Sequence, residues 1–199
     1  VNEVIEKLDF APDAETVRES VIHGGFSTER GPDGALYTGI SKHQVPHWFD
    51  YIARVIGFKI FPTLSCFRLN LAGELPHSWV HSDDICAKYA SVLYLNLPEQ
   101  CSGGTAFWKH RTLGIDRLPS RKSLREHGVD DAEFYSHMDD EWKVLSAWEQ
   151  YGFSPMKWNK FITYPTCLFH SRYPFEAFGK NSYDGRLIWI CFYDIENPA

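Results

Sequence analysis

His81 and Asp83, in the run His77-Ser78-Trp79-Val80-His81-Ser82-Asp83-Asp84, offer an imidazole and a carboxylate two positions apart. On a strand or extended loop that spacing turns both side chains to one face. A neutral imidazole and a carboxylate so placed can reach the same divalent cation. A second histidine from a distant segment would complete a facial set of two histidines and one carboxylate, which leaves neighbouring coordination positions open. His170 is the expected third donor. It closes the apolar run Phe161-Ile-Thr-Tyr-Pro-Thr-Cys-Leu-Phe169, and a polar residue ending an apolar strand is often aimed at a site. His77 and Asp84 lie close enough to compete as ligands, and a histidine-x-aspartate pair alone is a weak motif.

The elements that must position these residues are mostly strands. Leu64–Leu71, Tyr89–Leu97 (stopped by Pro98), Thr105–Trp108 after a Gly103-Gly104 turn, Phe161–Phe169 and Arg186–Tyr193 all read as strands. Val45–Gly57 reads as a helix, with Trp48, Phe49, Ile52, Val55 and Ile56 at helical spacing and Gly57 as its stop. A second helix is expected near Asp140–Tyr151, with Trp142, Leu145 and Trp148 on one face. Glycines at 24, 25, 31, 34 and 39 break the first forty residues into turns or short strands. Helices that precede the strands, rather than alternate with them, argue against a parallel α/β sheet.

The chain of 199 residues is long enough for one domain with a sizeable core. The expected organisation is a single domain over 1–199. An N-terminal helical or irregular support covers about 1–60, and a β core covers about 61–199. A partly helical insertion from about 109 to 158 reads as a lid, a binding loop or a packed decoration. Its paired acids, Asp130-Asp131 and Asp139-Asp140-Glu141, read as a solvated face or as helix N-terminal charge. Aromatic residues make up 16% of the chain, which suits a ring-lined β interior.

A net charge of −6 disfavours general nucleic-acid binding, and the basic stretch Arg111–Arg125 reads as a solvated loop. The five cysteines (66, 86, 101, 167 and 191) are odd in number and contain no C-x-x-C pair, the usage of a reducing, cytoplasmic compartment. No secretory h-region is visible at the start, and no run approaches the roughly 18 apolar residues of a membrane span.

The order of the motifs adds specificity. His81-x-Asp83 is followed by Tyr94-Leu95-Asn96, then Gly103-Gly104-Thr105-Ala106-Phe107. His170 comes next, and finally Gly185-Arg186-Leu-Ile-Trp-Ile-Cys-Phe-Tyr193. In this order the chain resembles the Fe(II)- and 2-oxoglutarate-dependent oxygenases, most closely their prolyl-hydroxylase-like branch, over residues 64 to 194. The resemblance implies a double-stranded β-helix (jelly roll), with Fe(II) held by His81, Asp83 and His170. It implies that Arg186 binds the distal carboxylate of 2-oxoglutarate and that Tyr94 donates to the same carboxylate. Arginine suits that task, since its planar fork pairs with a carboxylate through two bonds and stays charged when buried. The family's basic residue usually follows the distal histidine more closely than Arg186 follows His170, so Arg172 is the alternative anchor. The implied reaction consumes O2 and 2-oxoglutarate, releases succinate and CO2, and hydroxylates a substrate. Asp83 favours hydroxylation, because related halogenases lack this carboxylate. Two rival readings share the fold: a cupin-like metal enzyme without 2-oxoglutarate, which needs no buried anchor such as Arg186, and a non-catalytic binding module. The substrate, whether small molecule, peptide or protein, and the oligomeric state are not legible.

Overall fold

A computed structural model of the chain describes residues 3–74 and 79–196. The expectation for His77 lies outside the described residues. In chain order the elements are β1 (Ile5–Lys7), α1 (Ala14–Gly24), β2 (Ser27–Arg30), β3 (Leu36–Ser41), α2 (His47–Ile56), β4 (Ile60–Asn70), β5 (Tyr89–Tyr94), β6 (Gly104–His110), α3 (Arg121–Glu126), α4 (Asp131–Glu141), β7 (Trp148–Pro155), β8 (Phe161–Pro165), β9 (His170–Tyr173) and β10 (Arg186–Ile195). The strands form two antiparallel sheets. The larger has the order β1-β8-β5-β10-β4-β3-β2, and the smaller the order β7-β6-β9. Consecutive strands that fall in opposite sheets, such as β8 and β9, give the jelly-roll winding. The fold is therefore a double-stranded β-helix with N-terminal helices.

Alternation along the central strands explains the layering. On β10, Leu187, Trp189, Cys191 and Tyr193 point to one core, which also holds Trp48, Ile52, Val17 and Val21 from the helices. Their neighbours Ile188 and Phe192 face the other way, with Val92, Tyr94, Ile162, Tyr164 and Phe107, into the space between the sheets. Trp48 meets Trp189 edge to face at 5.1 Å, and its indole N–H donates to Asp13 Oδ1 at 2.9 Å. Each large apolar side chain removed from water here contributes about 1.5–3 kcal/mol. The helices thus brace the back of the large sheet and leave its inner face free to build a site. Among the described residues no helix is long and apolar enough to cross a membrane.

Two expectations are corrected. No helix spans 140–151: α4 ends at Glu141, Leu145–Ala147 form one 3-10 turn, and Trp148 opens β7. Pairing decides this, because β7 lies along β6 with His110 opposite Trp148 and Gly104 opposite Pro155. The shared face is real even so, since Trp142 and Trp148 stack at 5.7 Å and 6°. Strand 161–169 is also not continuous. It stops at Pro165, and His170 opens β9 in the other sheet rather than closing β8. The N-terminal support contributes strands as well, β1 pairing with β8 and β3 with β4. Of residues 109–158, β7 belongs to the small sheet, so the excursion between strands runs from 111 to 147. Within it Asp130 caps α4, its carboxylate accepting from the Ala132 and Glu133 N–H groups at 2.9 and 3.0 Å.

Gly103 and Gly104 allow the small sheet to close. Gly103 has φ +71°, and a Cβ on Gly104 would lie 2.1 Å from Ser154 O. Gly104 pairs on one side with Pro155 and on the other with Tyr173, so three strands meet at a residue without a side chain.

Candidate metal and carboxylate site

Backbone pairing brings the two donor segments together. His81 N–H donates to His170 O at 3.1 Å, and His170 N–H donates back to His81 O at 2.9 Å. One turn further on, Asp83 N–H donates to Thr166 O at 2.9 Å. The segment around His81 thus adds a single bridge to the edge of β9. The side-chain nitrogens of His81 and His170 and a carboxylate oxygen of Asp83 all lie within 4.8 Å of one another. His170 Nε2 is 3.1 Å from Asp83 Oδ2, and His81 Nε2 is 3.9 Å from Asp83 Oδ1.

The polarity of these contacts fits a cation. His170 Nδ1 lies 2.8 Å from Leu168 O, which can only accept, so Nδ1 carries a proton and donates. In the neutral ring Nε2 is then an acceptor facing a carboxylate oxygen. Two acceptors at that distance need a proton or a metal ion between them. Among the described residues, the buried His81 Nδ1 has no hydrogen-bond partner. Burial, and then the charge of His170, push the His81 imidazole down to about 4, which keeps its lone pairs available near neutrality. Burial raises the Asp83 carboxyl, but the hydrogen bond and charge of His170 outweigh this and hold it below its usual range. Asp84, the competing candidate, accepts from Ser82 Oγ at 3.0 Å and is not among the three clustered donors.

A second group, His110, His137 and Glu141, has similar spacing but the opposite polarity. His110 Nδ1 accepts from Leu113 N–H at 3.1 Å. Its Nε2 therefore carries the proton and donates to Glu141 Oε2 at 2.8 Å. A metal at Nε2 would require Nδ1 to carry a proton pointed at another N–H. This cluster is a strut between α4 and β6.

Arg186 opens β10 on the inner face of the large sheet and is 5% exposed. Among the described residues its one hydrogen bond is from Nη1 to Asn70 Oδ1 at 3.3 Å, and its Nε is buried without a partner. Among the described residues no carboxylate pairs with it. Burial pushes its ionisation down to about 10, and the nearby cations Arg172 and Arg68 add to that push. Tyr94 lies close enough to interact electrostatically with Arg186, and its hydroxyl is 2.8 Å from Thr105 Oγ1. The same hydroxyl donates to Ser154 O over a longer 3.5 Å. The alternative anchor, Arg172, is already engaged: Nε and Nη2 donate to Phe175 O at 2.9 and 2.6 Å, and Nη2 donates to Glu74 O at 3.1 Å.

Three residues not singled out from the sequence, together with Asn96 of the Tyr94-Leu95-Asn96 motif, complete the site. Tyr164 packs against His170 at 4.8 Å, and burial followed by the Asp83 charge raises its phenol well above the usual value. Its position was open to inference, since it lies two residues after Ile162 and so on the same face of the strand. Asn70 and Glu74 had no such signal. Asn70 and Asn96 hold Arg186 and the backbone beside it, and Glu74 accepts from Asn70 Nδ2 at 2.9 Å and pairs with Arg68.

The two sheets and the cluster between them define a double-stranded β-helix with a candidate metal centre at one end. The chain belongs to the family of unknown function DUF6445, whose model matches residues 63–193, more than half of its length. No curated protein matches the sequence. Among solved structures, the fold is similar to that of EvdMO1, with TM-score 0.53 and 13% identity over 100% of this chain and 48% of that one. It is similar as well to AviO1 from Streptomyces viridochromogenes Tue57, with TM-score 0.53 and 14% identity over 100% of this chain and 91% of that one. EctD from S. alaskensis, with bound Fe, matches at TM-score 0.50 and 14% identity over 99% of this chain and 76% of that one. The chain thus spans about half the length of EvdMO1 and most of the other two. At these identities the likeness is one of fold.

Proposed function

We propose that the protein is an Fe(II)- and 2-oxoglutarate-dependent dioxygenase of the hydroxylase type. The observation that carries this reading is Arg186. A buried guanidinium without a counter-charge is costly unless an anion arrives to pair with it. It shares the cavity between the sheets with two imidazoles and a carboxylate set to hold a divalent cation. A dianion with a chelating end and a distal carboxylate suits both features at once. The fold of EctD, which has been seen with bound Fe, supports the choice of metal. The likeness to the prolyl-hydroxylase-like branch rests on motif order alone.

His81, Asp83 and His170 would hold the iron, with the His170 ring fixed by its bond to Leu168 O. When bound, Fe(II) would activate O2, the oxidant, with 2-oxoglutarate giving two electrons as it becomes succinate and CO2, and the substrate C–H bond giving the other two as it is hydroxylated. Arg186 takes the distal carboxylate and fixes the co-substrate's direction, with the Tyr94 hydroxyl as a second donor. Phe107, Tyr164, Ile162 and Ile188 are packed together between the sheets and would keep water from the reacting atoms.

The test is succinate formation from 2-oxoglutarate by protein reconstituted anaerobically with Fe(II) and then given O2. Turnover that disappears in His170→Ala and Arg186→Ala supports the assignment. Metal binding without 2-oxoglutarate binding or turnover overturns it, and would favour a cupin-like metal enzyme.

A further inference from the structure

Three guanidiniums, those of Arg68, Arg172 and Arg186, lie near one another, and Glu74 is the carboxylate beside the first two. Arg68, on the inner face of β4, pairs with Glu74 and lies over the Tyr37 ring at 4.9 Å. Arg172, on β9 two residues past His170, feels Glu74 as an attractive charge and Arg68 as a repulsive one. Arg186 in turn feels both Arg172 and Arg68. Residues 75–78 read Leu-Pro-His-Ser and contain no acid.

Charge balance then indicates what remains to be bound. In the proposed loaded state, Fe(II) is neutralised by Asp83 and the chelating carboxylate of 2-oxoglutarate, and the distal carboxylate neutralises Arg186. Glu74 neutralises Arg68. Among the described residues Arg172 has no carboxylate in hydrogen-bond contact, and Asp33, the next acid at this end, is bonded by the Tyr37 hydroxyl. The Arg172 Nε and Nη2 are fixed on the main-chain carbonyls of Phe175 and Glu74, which holds the guanidinium in place. Among the described residues Nη1 makes no hydrogen bond and retains its two N–H donors. A charge held rigidly beside a low-dielectric cavity is a recognition element for an anion.

We propose that the substrate oxidised at this site is anionic, presenting a carboxylate or a phosphate to Arg172, with Arg68 as the flanking cation. This rests on the oxygenase reading for the iron and co-substrate and adds the substrate's chemical class. A neutral substrate would leave the Arg172 charge uncompensated in the closed complex. A cationic one would meet repulsion from two arginines.

The experiment uses the full chain loaded with Mn(II) and 2-oxoglutarate, with N-acetylglycine, its neutral primary amide and inorganic phosphate as probes. Paramagnetic broadening of the acetyl methyl protons or of the phosphorus resonance reports binding near the metal. Saturable broadening by either anion, about tenfold weaker for the amide and for Arg172→Gln, is expected. Arg172→Lys, which keeps the charge, should restore part of it, while Arg117→Gln on the surface should change nothing. Preference between the acetylglycine and phosphate arms identifies the anion. Equal broadening by the amide, full binding in Arg172→Gln, or no broadening by either anion overturns the proposal. Failure of the oxygenase reading is seen separately, as absent Mn(II) or 2-oxoglutarate binding before any probe is added. In that case the anion site is read by the rise in Tm that phosphate or N-acetylglycine gives the wild type but not Arg172→Gln, and an equal rise in both overturns it.

Discussion

Asn96 grips both peptide groups that flank Arg186. Its Nδ2 donates to Gly185 O at 2.8 Å, and its Oδ1 accepts from Leu187 N–H at 2.9 Å. The side chain is 1% exposed, so neither bond has water as a substitute. Asn96 therefore fixes where β10 begins, and with it the origin of the Arg186 side chain. Asn96→Ala should cost about 2–4 kcal/mol, because it removes two bonds and orphans a buried N–H. Urea unfolding measures that cost. A raised KM for 2-oxoglutarate, with kcat less affected, would mark the loss of positioning. A variant with lowered stability and normal KM would confine Asn96 to a structural part.

Arg186→Met separates stability from function. Removing an unpaired buried charge should stabilise the ligand-free protein by about 1–4 kcal/mol. The same change should weaken 2-oxoglutarate binding about a hundredfold through loss of a forked ion pair. Thermal unfolding with and without 2-oxoglutarate reads both effects. A destabilised variant would show that Arg186 already has a compensating partner.

Metal stoichiometry tests the two histidine clusters against each other. One equivalent of Mn(II) per chain is expected, lost in His170→Ala and kept in His110→Ala. The His110 variant should instead be less stable, since it cuts the strut to Glu141. A second equivalent that vanishes with His110→Ala would contradict the proton positions assigned there.

Asp13 links the start of α1 to α2 through Trp48 and His47. Burial raises its carboxyl, but the bonds from Trp48 and His47 outweigh this and leave it below its usual 3.8. A lowered folded value means the stabilisation is complete above 3.8 and fades as pH falls through the folded value. Asp13→Asn should therefore be less stable than wild type near neutrality, with the gap closing in acid below pH 3.8. Urea midpoints across that range check it, and a gap independent of pH would refute the linkage.

Gly104→Ala places a methyl group where Ser154 O stands. The backbone there cannot yield without opening β6 from β7, so a loss of about 1–3 kcal/mol is expected. Because β6 also carries β9, with Phe107 opposite His170, metal affinity should fall with it. Titration with Mn(II) checks this second effect.

Much of this site was legible because its signals are local. The spacing of His81 and Asp83, the alternation along β5 and β10 and the Gly57 stop each depend on a few adjacent residues. What was not legible depends on partners far along the chain. Trp142, Leu145 and Trp148 keep a helical period, but pairing with β6 draws Trp148 into a strand. The run before His170 is apolar throughout, so composition alone does not show that the chain leaves one sheet at Pro165 and enters the other at His170. Arg68, Asn70 and Glu74 look like ordinary surface residues until the fold sets them beside Arg186.

The paired backbone bonds between His81 and His170 have a consequence for how the site fills. Both donor strands are stitched to each other by main-chain bonds, so the socket stands ready-made and does not have to be drawn together by its ion. Little chain entropy is lost on loading, and the empty and filled proteins should share one outline. An ion then enters as a key enters a finished lock. Exchange should be governed by how quickly the cation sheds its own water, and the surrounding barrel has no refolding to do.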